Sequence, residues 1–156
     1  MKADQSASIN TGGEPLALDN QLCFALYSTS LLMTKVYKPL LQTMGLTYPQ
    51  YLAMLVLWER DGLTVGEISS RLLTDPGSLT PLLKRLESEG LLSRTRSKDD
   101  ERVVIVNLTE QGLALKTRAQ KEIPHCILTA SGMNPEALKA LQHQLLKLRG
   151  NLQNQL

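Results

Sequence analysis

Long apolar runs are missing from this chain. No stretch approaches the roughly 20 apolar residues of a spanning helix, and the opening MKADQSASINTGGEPLA has no continuous apolar core, so a cytoplasmic protein with no membrane partner is expected. Cysteine is scarce: Cys23 and Cys126 are the only two, and in a reducing cytosol such thiols serve as packing residues or redox sensors rather than structural bridges. The two histidines and two cysteines fall at spacings that put no ligand pair on one helix face, so no metal is expected. A Gly-rich phosphate loop and a nucleophile triad are both lacking, which leaves ordinary enzyme classes without support and calls for no cofactor. Charge of one sign is lacking too. Seventeen basic residues stand against fifteen acidic ones, a net charge of +2, and that balance alone does not establish a nucleic-acid binder.

What is present is enough for one domain: 156 residues, 42% of them apolar. Residues 1–17, rich in Ser, Gly, Asn and Gln, read as a flexible tail, and residues 18–156 as a single domain. From Asp19, Leu22, Leu26, Met33, Val36, Leu40 and Met44 recur at helical intervals until Gly45 stops them, which predicts one long helix. Thr47 with Gln50 forms a capping box for a second helix ending at Asp61-Gly62. Met33, Met44 and Met54 are assigned to the core. After residue 108, Thr109 and Glu110 open a helix that Pro124 should kink or interrupt. Asn134 and Pro135 open a last helix in which Leu138, Leu141, Leu145, Leu148 and Leu152 alternate steps of three and four. That stripe wants a partner helix. A neighbour in the same chain would satisfy it, but helices flanking so small a domain have little core to cover, so a homodimer is the better reading.

The middle of the chain is the most informative part. Thr64 and Glu67 make a T-x-x-E capping box before a short helix carrying Ile68 and Leu72. After a three-residue break, Asp75 stands as N-cap and Pro76 at the first helical position of another helix. In it Leu79, Leu82, Leu83 and Leu86 form one face, leaving Ser78, Thr80, Pro81, Lys84 and Arg85 on or near the other, and Gly90 ends it. Two β-rich runs follow, Leu91–Arg96 and Arg102–Leu108, around a charged tip with Lys98 and Asp100, a hairpin that also carries Arg94 and Arg96. A plain helical hairpin accounts for the two helices. The added β-hairpin favours a winged helix-turn-helix over residues 63–112, whose second helix reads the major groove. The expected fold is mainly α with a small β-hairpin wing, flanked by dimerisation helices over residues 18–45 and 113–156. Two symmetric readers would suit half-sites on pseudo-palindromic double-stranded operator DNA.

The run Asp100-Glu101-Arg102, with Leu108-Thr109 and Gly112, resembles the D-x-R…L-T-x-x-G wing pattern of the MarR family of transcriptional repressors, and Pro81–Glu87 with Gly90-Leu91-Leu92 resembles their recognition helix and its exit. The resemblance implies that Asp100 holds the wing, that Arg102 braces it, and that basic residues near the tip reach the minor groove. Leu22–Tyr27, Val36–Leu41 and Leu46–Tyr51 are similar to the organic hydroperoxide resistance regulators within that family, the two-cysteine type included. By that similarity Cys23 is the thiol oxidised by organic hydroperoxides, and Tyr27, Tyr37 and Tyr48 fall on tyrosines that stabilise its thiolate. Oxidation would give a sulfenic acid that Cys126 captures as a disulfide between subunits. Cys126 follows Pro124 by only two residues, earlier than the resemblance leads one to expect.

Geometry adds a constraint. Cys23 and Tyr27, four apart, share a helix face, but Tyr37 lies fourteen residues on, roughly 21 Å away along a continuous helix. A bond from Tyr37 to the Cys23 sulfur must therefore come from the partner chain. Two other functions fit the same residues: a MarR-type repressor answering to a small aromatic ligand in the dimer cleft, and a thiol-dependent peroxidase.

Overall fold

The computed structural model describes residues 13–156; of the tail expected over residues 1–17, the first twelve lie outside the described residues. The chain divides into two compact units, one up to Lys35 and one over Val36–Leu156.

In the first unit a 3-10 turn over Leu18–Asn20 is closed by the Asn20 N–H donating to Ala17 O at 3.0 Å. Asn20 Nδ2 donates to Glu14 O, and Gln21 Nε2 donates to Pro15 O and Ala17 O. Those bonds hold Gln21 extended, so helix α1 spans Leu22–Thr43 and starts three residues after the Asp19 expected from the apolar spacing. Cys23 thereby sits in its first turn. None of the described residues of this unit is buried. Leu22, Leu26, Leu31, Leu32 and Met33 are all exposed, which corrects the assignment of Met33 to the core.

The second unit holds the end of α1 and everything after it: α2 (Tyr48–Glu59), β1 (Leu63–Thr64), α3 (Val65–Leu72), α4 (Pro76–Ser88), β2 (Leu92–Arg96), β3 (Val104–Leu108), α5 (Glu110–Ser131) and α6 (Pro135–Gln153). Its helix starts are where local chemistry dictates them. Thr47 with Gln50 and Thr64 with Glu67 form complete capping boxes, and Asp75 accepts from the Ser78 N–H at 2.9 Å with Pro76 behind it. The three-residue link from α3 to α4 turns at Leu73, which is left-handed at φ 55°. α5 is not interrupted at Pro124. The ring removes one donor from a helix of 22 residues whose Ala119 and Ile123 are packed in the core on the preceding turn, and that packing outweighs the lost bond. Gly132, at φ 63°, ends it.

The strands form one antiparallel sheet in the order β1-β3-β2, with Leu63 opposite Val106 and Arg94 opposite Val106 on the other side. β1 is an addition to the expected hairpin. Asp61 fastens it by accepting from its neighbour Gly62 N–H and from Leu108 N–H at 2.8 Å. The core is continuous across α2, α3, α4 and the sheet: Ala53, Met54, Ile68, Leu83, Leu86 and Val106 have no measurable exposure. α5 is tied to the preceding helices by two cations. Arg118 donates to the carbonyl and hydroxyl of Thr43, both at 2.8 Å, and Lys116 Nζ donates to Trp58 O at 2.8 Å. α6 buries no residue. Among the described residues, no helix is long and apolar enough to cross a membrane.

Candidate functional site: an exposed reader and a tyrosine cluster

α3, α4 and the hairpin make a winged helix-turn-helix. On α4, Leu79, Leu83 and Leu86 face the core and leave Ser78, Pro81, Lys84 and Arg85 exposed, with Thr80 half-buried. The Ser78 hydroxyl donates to Asp75 at 2.7 Å and the Thr80 hydroxyl to Pro76 O at 2.9 Å, so both lock the helix start. The two donors of Ser78, hydroxyl first and then N–H, hold the Asp75 carboxyl below its usual range. Arg85 pairs with Glu89 one turn on. Lys84 enters no ion pair among the described residues.

The wing is braced from within. Asp100 accepts from the Arg102 N–H at 3.0 Å and faces the Arg102 Nε at 3.4 Å, while Arg96 Nη1 donates to Glu101 O at 2.7 Å across the tip. Lys98 projects from the tip, exposed. Arg94 differs from the other cations. Its N–H and its guanidinium both meet Glu87 on α4, at 2.7 and 3.2 Å, and its side chain is only 21% exposed. Those bonds, the backbone N–H foremost, lower the Glu87 carboxyl. Arg94 thus welds the wing to the recognition helix.

The other predicted residues fall in two groups. Cys23 is exposed in the first turn of α1, and Tyr27 on the next turn is 64% exposed. In the second unit the Tyr37 and Tyr48 rings lie tilted at 37° with centroids 5.5 Å apart, joined by Tyr51, a residue without an expected role, at 6.1 Å from each. Tyr37 is pushed up to about 12, by burial above all, then by the neighbouring Tyr51 and Tyr48, and last by Cys126. Burial raises Tyr48 and Tyr51 too. These phenols therefore remain neutral O–H donors throughout the physiological range. Cys126 itself is half-buried on α5. The signal for Tyr51 was available: it lies one helical turn after Tyr48 on α2. The same helix carries Trp58, which meets Tyr51 edge-on at 6.4 Å.

An exposed helix α4 and a braced wing beside it define a winged helix-turn-helix protein, and comparison with known proteins specifies it. A family described as transcriptional regulator SarA/Rot matches residues 35–118. The organic hydroperoxide resistance transcriptional regulator of Bacillus subtilis is 51% identical over 85% of this chain and 90% of its own. The HTH-type transcriptional regulator TtmR of Methylorubrum extorquens is 46% identical over 89% of this chain and 71% of its own. Among solved structures, AbfR of Staphylococcus epidermidis in its reduced, DNA-bound form superposes with a TM-score of 0.72 at 34% identity, covering 88% of this chain and 93% of that one. Its disulfide form superposes at 0.63 and 33% identity, covering 88% and 90%. The chain belongs to the MarR family of winged-helix transcriptional regulators, in its organic hydroperoxide resistance branch. Its relatives are transcriptional regulators rather than enzymes, and so is this protein.

Proposed function

We propose that this protein is a homodimeric repressor that leaves its operator DNA when organic hydroperoxides oxidise Cys23. The observation that carries this reading is the packing of Tyr37, Tyr48 and Tyr51 against one another while Cys23 opens α1 exposed. Fourteen residues separate Cys23 from Tyr37 in the sequence, a spacing that on one helix leaves no direct contact between them. The phenols and the second thiol of one subunit therefore serve the Cys23 of the other. The exposed apolar stripes of α1 (Leu22, Leu26, Met33) and α6 (Leu141, Leu145, Leu152) supply the surface on which two chains meet.

In the proposed chemistry the Cys23 thiolate attacks the terminal peroxide oxygen, the O–O bond breaks, and the alkoxide leaves and takes a proton as the alcohol. Sulfur is oxidised and peroxide reduced. Tyr37 and Tyr48, kept neutral by burial, donate to the thiolate and hold it for attack. The partner's second thiol, Cys126, then displaces hydroxide from the sulfenic acid, releasing water and forming the disulfide. Its Cα must approach that of Cys23 to within roughly 7 Å, which moves helices at the seam that spaces the two readers. In the reduced dimer, Ser78, Thr80, Pro81, Lys84 and Arg85 enter the major groove, and Arg96, Lys98 and Arg102, set by Asp100, meet the adjacent backbone, with Arg94 acting from behind by orienting the wing.

The test is operator binding by wild type and Cys23→Ser, each with and without cumene hydroperoxide. Wild type should release DNA stoichiometrically on oxidation and Cys23→Ser should stay bound; release by both would overturn the reading.

A further inference from the structure

The tyrosine cluster does not stop at the tyrosines. Tyr51 is 8% exposed and packs against Tyr37 and Tyr48, at 6.1 Å from each between ring centroids, and against Trp58 at 6.4 Å. Trp58, itself 8% exposed, donates its indole N–H to Gly112 O at 2.9 Å, the only buried side-chain hydrogen bond spanning α2 and α5 among the described residues. Gly112 sits against the base of the wing so closely that a Cβ there would fall 2.1 Å from Leu91 O and 3.3 Å from Leu108 Cδ2. Leu91 is the exit from the recognition helix, and Leu108 ends the second wing strand. Around the same point Thr109 ties the wing to α5, its N–H donating to Leu91 O and its hydroxyl to Gly90 O at 2.6 Å.

We propose that Tyr51 and Trp58 are positioning residues that carry the state of the sensing phenols to the DNA reader, by fixing Gly112 against the junction of recognition helix and wing. The proposal rests on the redox reading above and deepens it. Close-packed rings transmit a displacement because no void lies between them to absorb it. A Tyr37 ring pulled aside on disulfide formation moves Tyr51, then Trp58, and so the carbonyl that the indole holds. Gly112, having no room on its other side, passes the shift to Leu91 and Leu108. Neither residue is assigned to the sensing thiols or to the DNA-reading face. What they set is the ratio of the two affinities, not either reaction.

Trp58 is the only tryptophan in the chain, so its fluorescence reports this one contact. In the wild-type dimer, cumene hydroperoxide should change the emission of Trp58, and Cys23→Ser should show no change. Trp58→Phe keeps a ring but deletes the N–H. It should form sulfenic acid at the wild-type rate, trapped with dimedone, and bind DNA when reduced as wild type does. The loss of affinity on oxidation, of the order of 5–150-fold in coupled systems, should shrink to about twofold or less. If Trp58→Phe folds poorly, Tyr51→Leu makes the same test from the other side of the contact, and the wild-type emission needs no variant. Unchanged emission in an oxidised dimer that has released DNA overturns the relay and leaves the redox reading standing. Full release by oxidised Trp58→Phe does the same. If oxidised Cys23→Ser releases DNA, both fail.

Discussion

Helices α4 and α6 begin alike and end in opposite surroundings. Each opens on a side-chain cap followed by proline, Asp75-Pro76 and Asn134-Pro135, and each carries a leucine stripe. On α4, Leu79, Leu83 and Leu86 are 2%, 0% and 0% exposed, whereas on α6, Leu141, Leu145 and Leu152 are 48%, 37% and 56% exposed. A leucine stripe states that a helix has a partner. Only the fold tells whether that partner is in the same chain. For α4 it is the sheet and α2, so the reader is complete within one subunit. For α6 none covers the stripe among the described residues, which is why the proposed dimer is built on the outer helices.

The comparison can be broken at several points. The largest effect on stability is expected in the reader: Leu83→Ala, at a site with no exposure, should cost about 2–5 kcal/mol in urea unfolding, while Leu145→Ala should change monomer unfolding by about 0.5 kcal/mol or less. Equal losses in a monomeric background would mean that α6 is packed within its own chain. Next in size, Leu141→Asp with Leu145→Asp should turn the dimer into a monomer by sedimentation while leaving the helical content intact, because a carboxylate in an apolar seam has no partner. Third, Lys84→Ala should weaken operator binding by about 1–3 kcal/mol, roughly 5- to 150-fold, without loss of thermal stability. Arg94→Ala should instead lower stability first, since it removes the tie to Glu87. Smallest is a titration. Tyr37 holds its proton more tightly folded than unfolded, so the stability it lends is intact below pH 10 and is lost as pH rises through about 12. Absorbance during alkaline titration should show one phenol ionising near 12, and Tyr37→Phe should remove that step.

What was legible in the sequence is what is local. Capping pairs such as Thr64 with Glu67 and Thr47 with Gln50 act within one turn, and every one of them is made. The hairpin and the two reading helices followed from the same kind of short-range signal. Features made by long-range packing were not legible. Strand β1 is two residues long and exists only because Leu63 and Thr64 pair with a strand some forty residues later. The ion pair that takes Arg94 out of the free cations joins β2 to α4. Tyr51 reads as one more aromatic on an apolar helix until α1 and α2 pack their tyrosines together, and Pro124, read as a kink or interruption, does not interrupt α5. The roles of Cys23 and Cys126 came from family resemblance, since a thiol's spacing alone does not say what it meets.

The central claim is that the reader belongs to one chain and the sensor to two. It is tested most directly by mixing Cys23→Ser with Cys126→Ser, exchanging subunits, oxidising with cumene hydroperoxide and running a non-reducing gel. Each variant alone lacks one of the two thiols and should stay at the mass of a single chain. The mixture should yield a species of twice that mass, joined through Cys23 of one chain and Cys126 of the other. A mixture that stays unlinked under conditions where wild type loses both thiols would contradict the account.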